Sequence, residues 1–284
     1  MGRYLKSGMG WMWIMPFLFG CAANPHPAPE ALLCPHPAQE AVLWVQTAAE
    51  NRAGAIQSYA AAERMLDAAL ADASWTAALE QTEEYEKLPP AVILDVDETV
   101  LDNSPFNARL VRENRSFDPV IWADWVGREA AEPIPAAREF IQTATDKGIA
   151  VFYITNRACP RHRAEGDCPQ ETATIRNLEK GGFPSVNPDR MLLKNEHPDW
   201  GSEKAPRRKV VAETHRILML IGDDLGDFIP GVRKGITPER RRELVDTYRD
   251  RWGKQWFVLS NPVYGSWRNI LAEPALDNLR GYQP

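Results

Sequence analysis

The 284-residue sequence predicts an α/β protein with a doubly wound parallel sheet and a smaller helical cap beside it. Apolar runs without alternation, typical of parallel strands buried on both faces, occur at residues 91–96, 149–154, 217–221 and 256–260. Helical patterns separate these runs, and strands that alternate with helices indicate helices on both faces of one sheet. Residues 104–133 interrupt the alternation and are rich in large aromatic side chains, so we expect them to form the cap.

The remaining elements are predicted from apolar spacing and end residues. Residues 39–88 form an N-terminal helical segment, because apolar residues recur there at three- and four-residue steps up to about residue 86. This spacing indicates one long helix or a helical pair, and Pro89 and Pro90 stop it. A short fifth strand is predicted at residues 191–193. Further helices are predicted at residues 134–147, 170–180 and 205–216.

The first twenty residues are typical of an export signal. Arg3 and Lys6 precede a nine-residue apolar run, which is too short to cross a bilayer that requires about 20 apolar residues. The sequence LFGC that ends at Cys21 resembles the lipobox of bacterial lipoproteins, which implies a signal peptide over residues 1–20 and lipidation of Cys21. The alternative is an ordinary buried N-terminal helix with an incidental cysteine.

The residues that follow predict where the protein is anchored. Residues 21–38 are rich in proline and alanine and are expected to form an extended tether. Ala22 follows the cysteine, which favours the outer membrane by resemblance to the Gram-negative sorting pattern. The expected location is therefore the cell envelope, as an outer-membrane lipoprotein that faces the periplasm or the exterior and contacts the membrane through its lipid.

Export allows disulfide bonds. Cys159 and Cys168 flank a polar loop, and we favour a disulfide between them. The alternative is a metal site that includes His162, but the spacing matches no zinc pattern. Cys34 is left without a predicted partner.

The residues at the ends of three predicted strands have carboxylate and hydroxyl side chains that are suited to catalysis or metal binding. Asp95 and Asp97 follow the first strand, Thr155 ends the second, and Asp223 and Asp227 follow the third. Because the carboxyl ends of parallel strands lie at one edge, we expect these side chains to converge. Converging carboxylates repel each other unless a proton or a cation lies between them. Oxygen ligands of this kind suit Mg²⁺, and the lack of His and Cys in these motifs argues against zinc.

The charge balance excludes one class of partner. Lys and Arg total 33 against 39 Asp and Glu, which gives a net charge of −6. An acidic chain without a basic run is a poor binder of nucleic-acid polymers, since such binding depends on cations that neutralise phosphates. The sequence carries no prediction of oligomeric state.

Four motifs carry a family resemblance. DVDETVLDN, ITNR, and a Lys followed by GDDLGDF resemble the motifs of the haloacid-dehalogenase-like (HAD) phosphohydrolases. The lipoprotein start, the DNSP continuation and the late segment NPVYGSW resemble the class C bacterial acid phosphatases, the lipoprotein e family of 5′-nucleotidases. The resemblance implies a HAD-like, Rossmann-like core over residues 89–284. It also implies a Mg²⁺-dependent acid phosphatase that hydrolyses phosphomonoesters, with 5′-nucleotides preferred, through an aspartyl-phosphate.

The resemblance also assigns roles to the aspartates. Asp95 would be the nucleophile, and Asp97 would protonate the leaving oxygen and then activate water. Mg²⁺ would be held by the Asp95 carboxylate, the Asp97 backbone carbonyl and the Asp223 carboxylate, with Asp227 at the later acidic position of the same site. Asp224 stands where relatives often carry Asn.

The phosphate would be bound by the Thr155 hydroxyl, the Asn156 amide and a lysine. Lys204 matches the family's third motif, and Lys194 directly after a strand is the alternative.

The resemblance places the nucleotide base between Phe117 and Tyr264. Trp122 is a further candidate for substrate binding, although Trp122 and Trp125 also have the spacing of core residues on one helix face. Asn103 is expected either to anchor the first catalytic loop or to contact substrate.

Two other functions remain open at this point. One is a broad acid phosphatase without nucleotide preference. The other is a non-catalytic surface lipoprotein that serves as a binding or adhesion module on a phosphatase fold. The intact set of motif residues argues against the second alternative.

Overall fold

The computed structural model describes residues 36–184 and 186–281. The predicted signal peptide, the predicted lipidation site Cys21, Cys34 and most of the predicted tether lie outside the described residues. Within them, no helix combines the length and apolar character that a membrane crossing requires.

The core is a five-stranded parallel sheet, which confirms the predicted fold class. Its spatial order is β5-β4-β1-β6-β7, so the first strand in the sequence lies at the centre. The strand predicted at residues 191–193 is present as an edge strand. The strands of the described residues are β1 Pro90–Leu94, β2 Leu101–Asp102, β3 Glu132–Pro133, β4 Ala150–Ala158, β5 Met191–Lys194, β6 Arg216–Gly222 and β7 Trp256–Val258.

Helices cover both faces of this sheet. The α-helices of the described residues are α1 Gln39–Thr47, α2 Ala49–Ala71, α3 Ser104–Arg112, α4 Pro119–Gly127, α5 Ala137–Asp146, α6 Pro169–Lys180, α7 Ala205–Ala212, α8 Pro238–Thr247 and α9 Ser266–Asn269. Alternate side chains of β1 enter two apolar clusters: Val92 and Leu94 pack with residues of α2, α5 and α6, whereas Ala91 and Ile93 pack with residues of α7 and α8. This double burial explains why the strand is apolar without alternation.

The N-terminal helical segment is a helical pair that ends earlier than predicted. The chain leaves the helical conformation at Ala48, between α1 and α2, and α2 ends at Ala71 rather than near residue 86. The Arg216 side chain donates to the carbonyls of Ala69 and Asp72 at 3.0 and 2.6 Å, which satisfies the helix end with a cation. Beyond it, the Trp75 indole donates to a carbonyl of β6 at 2.7 Å. The apolar spacing there reflects packing against the sheet, not a helix.

The predicted cap is a helical insert with closely paired ends. It contains α3 and α4, and Asp118 caps α4 by accepting from the N–H groups of Val120 and Ile121 at 2.8 and 3.2 Å. The antiparallel strands β2 and β3 pair at the base of the insert, where Leu101 lies opposite Pro133. This pairing fixes where the insert leaves and rejoins the sheet.

Cys159 and Cys168 form a disulfide, with their Cα atoms 4.9 Å apart. The bond links the chain just beyond β4 to the residue before α6. His162, which the metal alternative required, instead pairs its Nδ1 with the Asn195 carbonyl at 2.9 Å.

Reduction of this disulfide is expected to destabilise the protein. Releasing a loop of this length lowers the free energy of unfolding by about 2.5–3 kcal/mol in the chain-entropy model. That loss corresponds to a fall in melting temperature of about 5–10 °C for a domain of this size. Thermal unfolding with and without reductant measures it. The double variant Cys159→Ser/Cys168→Ser is the control, because it should melt at the lower temperature and no longer respond to reductant. A wild-type melting temperature that is insensitive to reductant would contradict the prediction.

Candidate active site

The predicted site residues meet at the carboxyl edge of the sheet. Leu94, the last residue of β1, lies beside Tyr153 of β4 and Ile221 of β6. Asp95, which follows Leu94 directly, and Asp223, which follows β6, therefore lie at neighbouring strand ends. Both residues thus lie at the single carboxyl edge that a parallel sheet predicts for them.

Three of the predicted aspartates form a compact acidic cluster. Carboxylate oxygens of Asp95, Asp223 and Asp227 all lie within 4.8 Å of one another. Burial, and then the charges of Asp227 and Asp97, raise the pKa of Asp95 to about 6 against the lowering effect of Lys204. Burial together with the charges of Asp95 and Asp227 raises the pKa of Asp223 well above its ordinary value. Hard oxygen donors that repel one another at this range fit a small divalent cation.

Lys204 lies against this cluster. Its Nζ pairs with Asp95 Oδ1, and with Asp227 Oδ1 at 2.7 Å. The lysine directly precedes α7, so the helix start fixes its backbone. Lys194, the alternative phosphate lysine, ends β5 at the edge of the sheet. The geometry thus brings Lys204 to the aspartates.

The Asp97 side chain has a separate set of contacts. Its Oδ1 accepts from Arg157 Nε at 3.0 Å, from Arg157 Nη2 at 2.8 Å and from Asn103 Nδ2 at 2.9 Å. Its Oδ2 accepts from the Thr155 hydroxyl at 3.4 Å. Asp97 therefore adjoins the acidic cluster but is held by a buried cation and an amide.

Asn103 is a buried contact of the loop that follows β1 and carries Asp97. It is fully buried, and its Oδ1 accepts from the Trp125 indole at 2.8 Å. Of its two predicted roles, this placement fits the anchor and not contact with a substrate. Trp125 packs against the main apolar cluster, as its helical spacing predicts.

The turn after β6 depends on a glycine. A Cβ on Gly222 would lie 2.2 Å from Asp227 Oδ2, so only glycine leaves room for that carboxylate. Asp224 caps the turn at residues 225–227 and also accepts from the Ser266 N–H at 2.5 Å and the Ser266 hydroxyl at 2.8 Å. Asp224 thereby links the GDDLGDF motif to the NPVYGSW segment that carries Tyr264.

The aspartates and Lys204 lie in a cavity of about 670 Å³. Cap and late-loop residues form an aromatic part of its lining, in which Phe117 is 63% and Tyr264 37% exposed. Trp122 lines the cavity as well, with its ring centroid 6.4 Å from that of Phe117. The residues of this aromatic wall are Phe106, Phe117, Trp122 and Tyr264.

Three polar residues at the site escaped the sequence reasoning. Arg157 follows Thr155 and Asn156 in the second motif, and the strand register shifts between Thr155 and Ala158, so β4 bulges there. Arg207, which is fully buried, donates to the Thr155 carbonyl at 2.5 Å and to Asn156 Oδ1 at 2.8 Å. Asn261 Nδ2 donates to Asp223 Oδ2 at 2.7 Å. Arg157 and Asn261 lie inside the motifs ITNR and NPVYGSW, which was the available signal, but neither motif assigned them a role; Arg207 lies three residues after Lys204.

A parallel sheet that gathers aspartates, a threonine and a lysine at its carboxyl edge is the architecture of the HAD superfamily. The chain belongs to its subfamily IIIB, the acid phosphatases, whose family model matches residues 32–267. This match confirms the resemblance seen in the motifs.

Solved structures agree with this assignment. The crystal structure of the class C acid phosphatase from Bacillus anthracis with tungstate bound is similar to this chain, with a TM-score of 0.72 and 33% identity, and the match covers 87% of this chain and 98% of that one. A second structure of that phosphatase has a TM-score of 0.69 and 31% identity over the same shares.

Plant proteins are more distant relatives. Acid phosphatase 1 of Solanum lycopersicum is 29% identical over 139 residues, which are 48% of this chain and 51% of that protein. The stem 28 kDa glycoprotein of Glycine max is 23% identical over 146 residues, which are 50% of this chain and 53% of that protein. The chain thus spans about half the length of these relatives.

Proposed function

We propose that this protein is a Mg²⁺-dependent acid phosphatase that hydrolyses small phosphomonoesters, with 5′-nucleotides preferred, through an aspartyl-phosphate on Asp95. The observation that carries the proposal is the cluster of Asp95, Asp223 and Asp227 beside Lys204 in an aromatic-lined cavity. The tungstate of the similar Bacillus anthracis structure supports it, because tungstate is a tetrahedral oxyanion like phosphate.

In the first step, a carboxylate oxygen of Asp95 attacks phosphorus, and the bond from phosphorus to the ester oxygen breaks. Asp97 gives its proton to that departing oxygen, so the product alcohol leaves neutral. Lys204 compensates negative charge on the phosphoryl oxygens, and the Thr155 hydroxyl and the Asn156 amide donate hydrogen bonds to them.

In the second step, water hydrolyses the aspartyl-phosphate. Asp97, now ionised, takes a proton from the water as its oxygen attacks phosphorus, and the bond to Asp95 breaks. Phosphate is released and both aspartates return to their starting states. Mg²⁺, held by the carboxylates of Asp95 and Asp223 and the Asp97 backbone carbonyl, would supply positive charge opposite the phosphoryl oxygens, with Asp227 beside it.

Hydrolysis of p-nitrophenyl phosphate tests the proposed activity directly. The purified protein should release p-nitrophenolate with Mg²⁺ present and should lose this activity in EDTA. An inactive folded protein would overturn the proposal and favour the non-catalytic binding module.

The aromatic wall supports the nucleotide preference. Phe117→Ala is expected to raise KM for a nucleoside 5′-monophosphate by about 5- to 150-fold, since base stacking on an aromatic ring contributes about 1–3 kcal/mol. KM for glycerol 3-phosphate, which has no ring to stack, should stay nearly unchanged. Val120→Ala is the matched control, because Val120 is also an exposed apolar residue of the insert. Equal KM changes for both substrates would favour the broad phosphatase.

We also propose that Cys21 is lipidated and anchors the phosphatase in the cell envelope, as an outer-membrane lipoprotein. The disulfide between Cys159 and Cys168 supports an oxidising compartment. Growth with labelled palmitate should label the protein in the membrane fraction, at the Cys21 that begins the chain once residues 1–20 are removed, and Cys21→Ser should abolish the label. Label that persists in this variant would exclude Cys21 as the site.

A further inference from the structure

Arg157 is a buried cation in contact with the proposed proton donor. Its side chain is 1% exposed, and its Nε and Nη2 both donate to Asp97 Oδ1, at 3.0 and 2.8 Å. Its third nitrogen, Nη1, donates to the Thr174 hydroxyl of α6 at 2.9 Å. The guanidinium carbon lies 5.6 Å from the Trp122 ring centroid. Three elements therefore fix the guanidinium: the first catalytic loop, α6 and the insert.

The two oxygens of Asp97 are surrounded differently. Oδ1 accepts from both Arg157 nitrogens and from Asn103 Nδ2 at 2.9 Å. Oδ2 has one partner among the residues that the structure describes, the Thr155 hydroxyl at 3.4 Å. An oxygen that faces three N–H donors has no place for a proton, because a proton there would meet those hydrogens. A proton on this carboxyl group is therefore carried by Oδ2.

We propose that Arg157 is a positioning residue that holds Asp97 by Oδ1, so that the proton on Oδ2 is presented to the departing ester oxygen. This inference rests on the proposed function. The arginine fork matters, because its Nε and Nη2 donors converge on Oδ1 and hold that oxygen in place, which leaves Oδ2 to the weaker contact with the Thr155 hydroxyl. The step itself is unchanged: the O–H bond at Oδ2 breaks as the ester oxygen gains the proton and separates from phosphorus.

This arrangement predicts that the loss of activity caused by a misplaced Asp97 depends on the leaving group of the ester. Benzyl phosphate and p-nitrophenyl phosphate are both aromatic monoesters of similar size, but benzyl alkoxide is strongly basic and must be protonated, whereas p-nitrophenolate leaves readily without a proton. A misplaced proton donor therefore slows benzyl phosphate much more. The quantity to compare is kcat/KM, which covers the steps up to transfer of the phosphoryl group to Asp95.

The test uses Arg157→Lys, which keeps the charge but loses the fork. We expect kcat/KM to fall by about 100-fold or more for benzyl phosphate and by less than about 10-fold for p-nitrophenyl phosphate, because general acid catalysis contributes about 10²–10⁴. Thr174→Val removes the hydroxyl that accepts from Nη1 and donates to the Gln170 carbonyl within α6, but it leaves both donors to Asp97 in place. It should change the ratio of the two kcat/KM values in the same direction by a smaller factor. This milder variant keeps the inference testable if Arg157→Lys does not fold.

The matched control is Arg216→Lys. Arg216 is also buried, but it lies at the opposite end of the sheet, where it donates to carbonyls at the end of α2. Its variant should leave the ratio of the two kcat/KM values unchanged. Equal losses of kcat/KM on both esters in the Arg157 and Thr174 variants would overturn the positioning role of Arg157 but would leave the proposed phosphatase function standing. A wild-type protein that hydrolyses neither ester would overturn the proposed function, and the inference with it.

Discussion

Asp95→Asn is expected to lower the phosphatase kcat by at least about a thousandfold, because a neutral amide does not attack phosphorus. The substitution keeps the size of the side chain. Lys204 also keeps its second partner, Asp227, at 2.7 Å. Steady-state hydrolysis of p-nitrophenyl phosphate with Mg²⁺ measures the loss. Activity within about tenfold of wild type would exclude Asp95 as the nucleophile.

Two comparisons separate this loss of chemistry from a loss of folding. Asp67→Asn makes the same chemical change on an exposed aspartate of α2, which pairs with Lys147 at 2.6 Å, and should leave kcat nearly unchanged. The metal-free Asp95→Asn protein should melt no lower than wild type at pH 7. The reason is that burial and the neighbouring aspartates raise the Asp95 pKa to about 6, so the ionised carboxyl opposes folding at neutral pH. A lower melting temperature would attribute the lost activity to the fold.

Removal of the divalent cation is expected to abolish activity and to destabilise the protein. Mg²⁺ at about 100 times its Kd would contribute about 2.7 kcal/mol to stability, which corresponds to a rise in melting temperature of about 5–10 °C. Asp223→Asn should lose most of this rise and lower kcat by at least about 100-fold, because it removes one carboxylate of the acidic cluster. Asp224→Asn is the matched control. Asp224 is the adjacent aspartate but pairs with Ser266 instead, so its variant should keep the response to Mg²⁺.

The response to Mg²⁺ should grow as the pH rises. The pKa values of Asp95 and Asp223 are both raised, Asp95 to about 6, mainly by burial. A raised carboxyl pKa stabilises the metal-free fold at low pH, and this contribution is lost as the pH rises from about 4, the unfolded value, through about 6. The cation binds the ionised form. The Mg²⁺-induced rise in melting temperature should therefore be small at pH 5 and large at pH 7, and a rise of equal size at both would contradict the raised pKa values.

The strand order and the acidic cluster illustrate what the sequence could predict. Buried parallel strands are apolar throughout, and their carboxyl ends share an edge, so Asp95 and Asp223 could be placed together from topology alone. The prediction of a helix beyond Ala71 was wrong, because Trp75 and its neighbours pack against the sheet without forming a helix. Periodicity reports burial and does not identify the element that is buried.

The contacts of the buried arginines could not be predicted from the sequence. Arg157 reaches Asp97 from a bulge in β4, and Arg207 reaches Thr155 from α7. These contacts join residues that are about fifty or more positions apart in the chain. They depend on backbone detail at strand ends, which local propensities do not encode. The sequence favoured Lys204 over Lys194 through its match to the third motif, and the structure adds that the Lys204 Nζ contacts Asp95 and Asp227.

The short ladder between β2 and β3 gives the insert the properties of an exchangeable module. Because Leu101 lies opposite Pro133, the segment between them leaves and returns at almost one point and could vary in length without disturbing the sheet. Such variation would change the cavity wall, to which Phe106, Phe117 and Trp122 of the insert contribute. It would not be independent of the chemistry, since Trp122 lies over Arg157 and Trp125 donates to Asn103. Under the proposed function, a change in the insert that altered the aromatic wall would therefore also change the surroundings of Arg157 and Asn103, the two residues that donate to Asp97 Oδ1.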